Sequence, residues 1–487
     1  MTNYDVIIVG SGPAGLASAY LLTKLDPNIN VIVLDVGRFH SRRPCPVDNG
    51  QECKGCGGIC NVISGFGGCM HYGDGIKLSL MPSGRRLIEL FGEKTAYDLA
   101  YSAFDILASY TSNQLLLKGH DISPEVHKCF NEYGLTIREY PVAVVSETQL
   151  KQIIDGLYKD LVNKVTLELE SEVIDVEQNL SDYSVIINSK AGYRKINAHN
   201  IIFATGRRGL VSTQNILKKF KISMSSPRAS IGVRFEMRAS YLQEIGLAHP
   251  DLKISQRDSS EEKAKTFCFC GGVNGGRIKF TNYQNTFGEA IITLDGHETC
   301  EREPLKDLDL AANFGLLCQI PESEENTDAW LYKYVISPYR KISNGRPIVQ
   351  TLRAFKNRAD DLVSWDNLKS NLPFEPSIND LVVAPLHQLF SDRDHQNMVR
   401  NFDEIMSPIL KISNTGKNIN EIIDEIIVVG PELEFLWNKI HTDTYGETSK
   451  QGIFVAGDTA GIAQGIIQAM MMGLRVAERI IYKMKSS

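Results

Sequence analysis

Several common features are scarce in this chain of 487 residues, and each absence excludes a class of protein. Ten cysteines are too few for a disulfide-stapled secreted scaffold and indicate reduced thiols or a metal site. No run approaches the roughly 20 consecutive apolar residues of a membrane span. A net charge of −6 gives no electrostatic basis for binding nucleic acid or an anionic membrane. Nothing resembles a Ser-His-Asp triad or a Walker A phosphate loop.

The N-terminus is apolar but lacks the character of a signal peptide, because Asp5 and a glycine turn interrupt it. We therefore predict a cytoplasmic protein without a membrane span. With 43% hydrophobic and 23% charged residues, the composition is that of a globular protein. The chain is too long for one hydrophobic core, so we expect two or three substructures.

The strongest motif lies at the start of the chain. The apolar run Val6–Val9 precedes a G-x-G-x-x-G turn, and a helical pattern follows from Leu16 to Leu25. In this context the motif is the phosphate-binding turn of a dinucleotide-binding fold. Its first glycine makes the tight turn, the second lets the backbone approach a pyrophosphate, and the third lets the helix pack on the strand. The residues predicted to form this site are Gly10, Gly12, Pro13, Ala14 and Gly15.

Two acidic residues follow other apolar runs. The run Val31–Leu34 ends in Asp35, near the offset of roughly 20 residues at which a carboxylate grips a ribose 2′-hydroxyl. The run Ile453–Ala456 ends in Gly457-Asp458, directly before another helix. An acidic group there would hold a second sugar-like group, with the helix N-terminus aimed at a ring system. A domain for NAD alone would explain the first segment but not the second.

Further segments complete a family pattern. They are Cys53-Lys-Gly-Cys56-Gly-Gly-Ile-Cys60 with Ser64–Gly68, Ile201–Arg207, Thr266–Gly272, and Gly457-Asp458 with Gly461, Gly465 and Gly473. With these motifs the chain resembles FAD-dependent oxidoreductases of the two-dinucleotide-binding-fold flavoprotein superfamily. More narrowly, it resembles the uncharacterised FAD-utilising dehydrogenase family. It departs from that pattern at Asp35 and Asp458, where a Glu is usual, and at Cys69–Tyr72, where small residues are expected.

The resemblance implies an α/β fold with a discontinuous Rossmann-like FAD-binding domain and an inserted α+β substrate domain. The expected first part of the FAD-binding domain is 1–215, with a helical insertion at 86–140. The substrate or cap domain is expected at 216–430, with sheet strands near Ile231–Met237 and Ala290–Leu294. The chain would return to the FAD-binding domain at 431–487.

The resemblance also implies positions for FAD. Asp35 would hold the adenosine ribose, and Asp458 the ribitol or pyrophosphate side. The helix N-terminus near Gly465 to Gln468 would face the flavin O2/N1 edge, where its partial positive charge stabilises reduced anionic flavin. The remaining expected contacts are Gly67, Gly68 and Gly206.

The implied activity is hydride transfer between a small organic substrate and flavin N5. A flavin-dependent monooxygenase and a non-catalytic FAD-binding redox sensor or scaffold are the alternatives. Residues 216–430 contain no second G-x-G-x-x-G and therefore no signature of a separate NAD(P)H domain. Electrons would then be exchanged with transiently bound NAD(P)H, with a redox partner protein, or with O₂.

Four cysteines gather in one short segment. Cys45, Cys53, Cys56 and Cys60 have spacings at which thiolates can share a zinc ion or an iron–sulfur cluster. A dithiol exchanging with flavin and purely structural thiols are the alternatives. A strand would point Cys268 and Cys270 to opposite faces, so that one of them can donate a single ligand or line a flavin pocket.

Two residues after the glycine-rich loop are candidates for acid or base chemistry. His71 and Tyr72 follow Gly68 closely, and both side-chain types can transfer protons beside a flavin. A hydrogen-bonded loop histidine and a packed tyrosine are the structural alternative.

Overall fold

The computed structural model describes residues 3–49, 51–226, 229–256, 264–284, 290–301, 309–319, 332–360, 363–434 and 437–486. Two large sheets dominate this part of the chain. Each has its own hydrophobic core, as expected for a chain of this length.

The first sheet joins the two ends of the chain. Its strands in spatial order are β7 (Thr166–Glu168), β2 (Val31–Leu34), β1 (Asn3–Val9), β10 (Gly192–Phe203), β9 (Tyr183–Ser189) and β8 (Ser171–Gln178), with β22 (Ile453–Val455) also pairing with β10. β7, β2, β1, β10 and β22 are parallel, whereas β8, β9 and β10 form an antiparallel meander. β2 and β22 are buried throughout, which is typical of parallel strands covered on both faces.

The second sheet is mainly antiparallel. Its strands in spatial order are β19 (Val382–Val383), β18 (Ile348–Thr351), β20 (Ile427–Glu434), β12 (Ser230–Arg238), β17 (Ala311–Gln319), β14 (Ala264–Cys270), β13 (Lys253–Gln256) and β5 (Leu135–Arg138). Only the pair β18–β19 is parallel. Phe235, Phe314 and Phe402 pack together beneath this sheet, with ring centroids 4.2 to 6.2 Å apart.

Shorter strands form three small sheets. They are β3 (Ile76–Ser79), β6 (Val142–Val145) and β4 (Leu117–Lys118); β11 (Met224–Ser225) with β21 (Lys439–Ile440); and the hairpin β15 (Gly276–Gln284) with β16 (Ala290–Glu298). The hairpin contacts the second sheet through buried side chains of Ile278, Phe280 and Leu294.

The helices cover the sheets. They are α1 (Pro13–Leu25), α2 (Arg85–Phe91), α3 (Glu93–Ala108), α4 (Pro124–Glu132), α5 (Glu147–Leu161), α6 (Leu210–Lys219), α7 (Ala239–Ala248), α8 (Ser337–Ser343), α9 (Leu352–Asn357), α10 (Trp365–Ser370), α11 (Asp392–Ile412), α12 (Ile419–Ile422) and α13 (Ile466–Ser486). A π-helical turn spans Tyr332–Ile336. Within the ranges given above, no helix has both the length and the apolar character needed to cross a bilayer.

The first and last helices pack directly against each other. The Ser18 hydroxyl on α1 donates a hydrogen bond to the Gly473 carbonyl on α13, with an O···O distance of 3.0 Å. A Cβ atom on Gly473 would lie 2.2 Å from the Ala14 carbonyl oxygen, so only glycine permits this approach. This contact brings the beginning of α13 beside the beginning of α1.

The predicted fold class is confirmed: the chain is α/β, with a discontinuous Rossmann-like sheet and a second, largely antiparallel sheet inserted between its parts. The domain boundaries stay a prediction. β5 lies within the expected helical insertion 86–140 but pairs with β13 of the second sheet. β20 crosses the expected boundary at 430/431 and also belongs to the second sheet.

Candidate functional site

A cavity of about 500 Å³ lies between the carboxyl ends of β1, β2 and β22 and the face of the second sheet. Open α/β sheets bind ligands at this edge of the strands. Gly10, Asp35 and Gly457 line the cavity from the first sheet, and Lys265 and Glu434 line it from the second. The volume is within the range of about 300–1,000 Å³ that is typical of ligand pockets.

The three glycines of the N-terminal turn lie in different backbone environments, and only some of them exclude a larger residue. Gly10 has a φ of +108°, and a Cβ atom there would lie 2.2 Å from the Ala204 carbonyl oxygen. A Cβ atom on Gly15 would lie 1.9 Å from the Gly10 carbonyl oxygen. Gly12 has an ordinary φ of −79°, and its Cβ atom would meet only the Gly68 Cα, at 3.8 Å. The protein therefore requires the first and third glycines, whereas the second leaves room at the cavity wall.

Asp35 closes the same turn. Its Oδ2 accepts hydrogen bonds from the Ser11 backbone N–H at 2.7 Å and from the Ser11 hydroxyl at 2.8 Å. Its Oδ1 accepts one from the Gly37 N–H at 2.8 Å. A carboxylate has about four acceptor positions, so one is left for a hydroxyl group in the cavity.

The segment that begins at Gly457 lines the cavity as well, beside the N-terminal glycine turn. Asp458 accepts a hydrogen bond from the Arg207 Nε at 3.3 Å. Burial raises the pKa of Asp458, and the Arg207 guanidinium partly offsets that rise. Gly465 and Ile466 at the start of α13 also line the cavity. The backbone N–H groups of the first helical turn therefore lie at the cavity wall, where they favour negative charge.

Gln468 both lines the cavity and braces it. Its Nε2 donates hydrogen bonds to the Ser79 carbonyl at 2.9 Å and to the Ser83 carbonyl at 3.0 Å. Nearby, the buried Gln464 Nε2 has no hydrogen-bond partner among the residues that the structure describes. This buried N–H donor can form a hydrogen bond with an acceptor atom of a bound ligand.

Arg43 holds the loop that faces Gly12, and sequence reasoning missed it. The side chain is 1% exposed and donates to the carbonyls of Asn61, Val62, Phe66 and Gly68, at 2.7 to 3.2 Å. Gly68 is so close to the N-terminal turn that its Cβ atom would lie 2.7 Å from the Gly12 Cα. No pattern in the sequence distinguishes this arginine from exposed Arg42 beside it.

All the predicted cofactor-binding residues except two line the cavity. Gly15 instead packs α1 onto β1, as the motif predicts. Gly67 has a φ of +89°, and its Cβ atom would contact Ile154 at 3.4 Å, outside the cavity. Gly206, which lines the cavity, has open space where its Cβ atom would be. These features fit an extended dinucleotide; which group each residue binds stays a prediction.

The second sheet contributes a buried ion pair behind the cavity. Arg234 is 0% exposed and donates to Glu432 Oε1 at 3.0 Å and to Asn313 Oδ1 at 2.5 Å. Burial would lower the pKa of Arg234, but the Glu432 carboxylate raises it above its ordinary value. The guanidinium also donates to the Cys268 carbonyl at 3.2 Å and so fixes the strand that lines the cavity.

Cys268 lies in an irregular part of β14. The pairing of β14 with β17 shifts between Phe267 and Cys270, and Cys268 has a φ of +43°. Its thiol lines the cavity and donates to Asp295 Oδ1 at 3.2 Å. Bulges of this kind re-aim side chains beside active sites. Cys268 thus lines the cavity, and its expected place in a flavin pocket stays a prediction.

Glu434 is a buried carboxyl group on the cavity wall. It is 3% exposed, and its Oε2 has no hydrogen-bond partner within the described ranges. Burial raises the pKa of Glu434 from 4.5 to about 7, against the opposing effect of Arg207 and Lys265. The group can therefore hold or release a proton near neutral pH.

The raised pKa of Glu434 predicts that the free energy of unfolding depends on pH. Because the folded form holds this proton more tightly than the unfolded form, the associated stability is complete below pH 4.5 and is lost as pH rises to about 7. Relative to Glu434→Gln, we expect the wild type to lose up to about 3 kcal/mol over that interval. Urea unfolding at several pH values measures this difference. Parallel curves for the two proteins would contradict the prediction.

The four cysteines predicted as metal ligands are Cys45, Cys53, Cys56 and Cys60, and in the described part of the chain no group of three potential metal ligands is found. Burial raises the pKa of Cys60, and Cys56 and Cys53 lie near enough to raise it further. Burial and Asp48 raise the pKa of Cys45 to about 11. Burial thus favours the protonated thiol at Cys45 and Cys60. Binding of a metal by this segment stays a prediction.

The backbone places His71 and Tyr72 in a short 3₁₀ helix, Gly68–Tyr72, beside the cavity-lining Cys69. Their side chains lie outside the described part of the structure. Their predicted acid or base role is accordingly untested and stays a prediction.

No protein-family model matches the chain. A segment of 45 residues is 49% identical to the uncharacterized protein Mbar_A1602 of Methanosarcina barkeri, covering 9% of this chain and 11% of that protein. The chain thus spans only a small part of that curated relative.

Three solved structures illustrate what the chain is similar to. Pyridoxine 4-oxidase from Mesorbium loti has a TM-score of 0.43 and 11% identity, over 99% of both chains. A geranylgeranyl bacteriochlorophyll reductase-like protein from Thermoplasma acidophilum has a TM-score of 0.40 and 12% identity, over 100% of this chain and 80% of that one. A flavoprotein/dehydrogenase from Cytophaga hutchinsonii has a TM-score of 0.38 and 11% identity, over 100% and 79%.

Proposed function

We propose that this chain is an FAD-dependent oxidoreductase acting on a small organic molecule. The supporting observation is that the N-terminal glycine turn and the Gly457-Asp458 segment meet at one cavity, at the carboxyl ends of parallel strands. An extended dinucleotide would explain why two segments at opposite ends of the chain share this wall.

Each part of FAD would be bound by a different group of these residues. Gly12 and the first turn of α1 would hold the pyrophosphate, and the free acceptor position of Asp35 would take a ribose hydroxyl. Asp458 would contact the ribitol side, and the start of α13 would favour negative charge on the ring. When bound, FAD would supply a two-electron hydride acceptor or donor at flavin N5.

The remaining wall is where a substrate would be oriented. Cys268 and Asp295 share a hydrogen bond at 3.2 Å, and Glu434 holds a proton near neutral pH. The substrate proton would be held or moved by such groups, while the second sheet excludes water from the reacting atoms. His71 and Tyr72 are further candidates for this role.

The direction of the reaction and the electron partner distinguish three forms of this proposal. A dehydrogenase or reductase would exchange electrons with NAD(P)H or a redox partner protein, whereas a monooxygenase would consume O₂ with hydroxylation of its product. A redox sensor would bind FAD but show little turnover. A metal or cluster at the segment with Cys53, and a cytoplasmic location, are predictions of the same standing.

Identification of the bound cofactor tests the proposal. The protein is purified without added nucleotide, the cofactor is released by heat, and chromatography with mass spectrometry identifies it. We expect FAD at close to one equivalent per chain, after reconstitution if necessary. FMN or NAD at the same site, with no FAD retained, would contradict the proposed function.

A further inference from the structure

Five cationic side chains line one region of the cavity: Arg85, Arg86, Arg138, Lys253 and Lys265. They come from three separate parts of the sequence: α2, β5, and the consecutive strands β13 and β14. We infer that this basic cluster binds an anionic group of the substrate, a carboxylate or a phosphate. The inference rests on the proposed function and extends it to the chemical class of the substrate.

The cations in the cluster lie close to one another. Burial lowers the pKa of Arg138 most, and the positive charge of neighbouring Arg85 lowers it further. The pKa of Lys265 is lowered by burial, is partly restored by Glu434, and is lowered again by Lys253 and other cations of the cluster. Like charges destabilise each other's charged forms unless an anion lies between them.

The protein supplies too little negative charge to balance this region. Among the described residues, Arg85, Arg138, Lys253 and Lys265 form no ion pair with a carboxylate. Asp251 offsets part of this charge: against the effect of burial, Lys253 and Lys77 keep the pKa of its buried carboxyl group below the ordinary value, and its Oδ2 accepts hydrogen bonds from the Tyr140 and Ser79 hydroxyls, at 2.7 and 3.1 Å. Glu434, another acid of the cavity wall, lies near Lys265, and its Oε2 is buried with no hydrogen-bond partner among the residues that the structure describes. The cluster therefore keeps an excess of positive charge facing the cavity.

The cluster lies at the end of the cavity that α13 borders. A Cβ atom on Gly84, directly before Arg85, would lie 2.8 Å from the Gln468 Cγ. The Lys253 ammonium donates to the Ser83 hydroxyl at 3.3 Å, and Gln468 donates to the Ser83 carbonyl. This is the wall assigned above to the flavin ring rather than to the pyrophosphate. An anion held here would place a substrate beside that ring.

The chemistry of the cluster favours an oxyanion with several acceptor atoms. An arginine fork donates two parallel hydrogen bonds to a carboxylate or phosphate, and lysine adds a compact charge. Both ligand types share this chemistry, so each serves as a probe. A neutral molecule of the same shape lacks the charge that the cluster is built to balance.

The experiment measures binding of inorganic phosphate and of succinate to the FAD-loaded protein by calorimetry at constant ionic strength. Succinamide is the neutral counterpart of succinate. The variants are Arg138→Gln and Lys265→Gln, and the control is Lys164→Gln, an exposed lysine outside the cavity. We expect at least one anion to bind, succinamide not to bind, and each cluster variant to weaken the anion at least tenfold. The Lys164→Gln control should bind the anion as tightly as the wild type, and all variants should keep their FAD content. The anion that binds more tightly indicates which oxyanion the substrate carries.

Other results separate the inference from the proposed function. If FAD is bound but neither anion binds, or the variants bind as well as wild type, the inference is overturned while the proposed function stands. If Arg138→Gln loses FAD and anions bind only the FAD-free protein, the cluster belongs to the cofactor phosphates and the inference is again overturned. If wild-type protein never retains FAD but binds anions through the cluster, the proposed function is the part that fails.

Discussion

Gly12→Ala is expected to weaken FAD binding about 100-fold, or about 2.7 kcal/mol, while leaving the fold intact. At φ −79° an alanine is unstrained, and beyond its chain neighbours the nearest described atom to its Cβ would be the Gly68 Cα, at 3.8 Å. The protein alone therefore tolerates the methyl group. A pyrophosphate approaching the backbone would not, because the methyl group would occupy its position. Fluorescence titration with FAD gives the affinity, and thermal unfolding of the FAD-free protein gives the stability.

Two other glycines provide matched controls. Gly10→Ala should destabilise the protein itself, because its Cβ atom would lie 2.2 Å from the Ala204 carbonyl oxygen. Gly192 is the exposed first residue of β10, next to the turn from β9; it has a φ of +95°, and a Cβ atom there would meet no atom within 4 Å. Gly192→Ala should cost about 1 kcal/mol of stability without affecting FAD. Wild-type FAD affinity in Gly12→Ala would show that no pyrophosphate lies at this turn.

Arg43→Met is expected to lower the free energy of unfolding by about 3–5 kcal/mol, because it leaves buried carbonyl groups unpaired. The guanidinium donates to four carbonyls of the segment between Asn61 and Gly68. Loss of these bonds should also release the loop that packs against Gly12, so FAD binding should weaken in the same variant. Denaturant unfolding and FAD titration measure the two effects.

The neighbouring arginine is the control for this prediction. Arg42 is exposed and forms an ion pair with Glu170 at 3.3 Å, so Arg42→Met should change stability by less than about 1 kcal/mol. Burial lowers the pKa of Arg43 to about 10, which leaves it charged at neutral pH. A stability loss in Arg43→Met no larger than in Arg42→Met would mean that this side chain does not organise the loop.

The parts of the fold that depend on local pattern could be predicted from the sequence. The strand before Gly10, the helix after Gly15 and the strand before Asp35 all form where their apolar runs indicated. The strand expected at Ile231–Met237 also forms and lies within β12. These elements are specified by residues adjacent in the chain, so a single sequence contains the whole signal.

The arrangement of the second sheet could not be predicted, because its pairings join distant segments. β5 pairs with β13, and the strand predicted at Ala290–Leu294 pairs with β15 in a separate hairpin. Arg138 and Lys265 face the same cavity only because of such pairings. The positive φ of Cys268 depends on a shift in register with β17, which no residue type signals. Burial of Arg43 likewise depends on the folded loop around it.

The most direct test of the central claim is anaerobic reduction of the FAD-loaded protein, followed by its visible absorption spectrum. The bound flavin should bleach on uptake of two electrons per chain and recover its absorption when an oxidant is added. The flavin should stay with the protein during gel filtration in both states. Failure to retain any flavin after incubation with excess FAD would contradict the proposal that this cavity is the site of an FAD-dependent oxidoreductase.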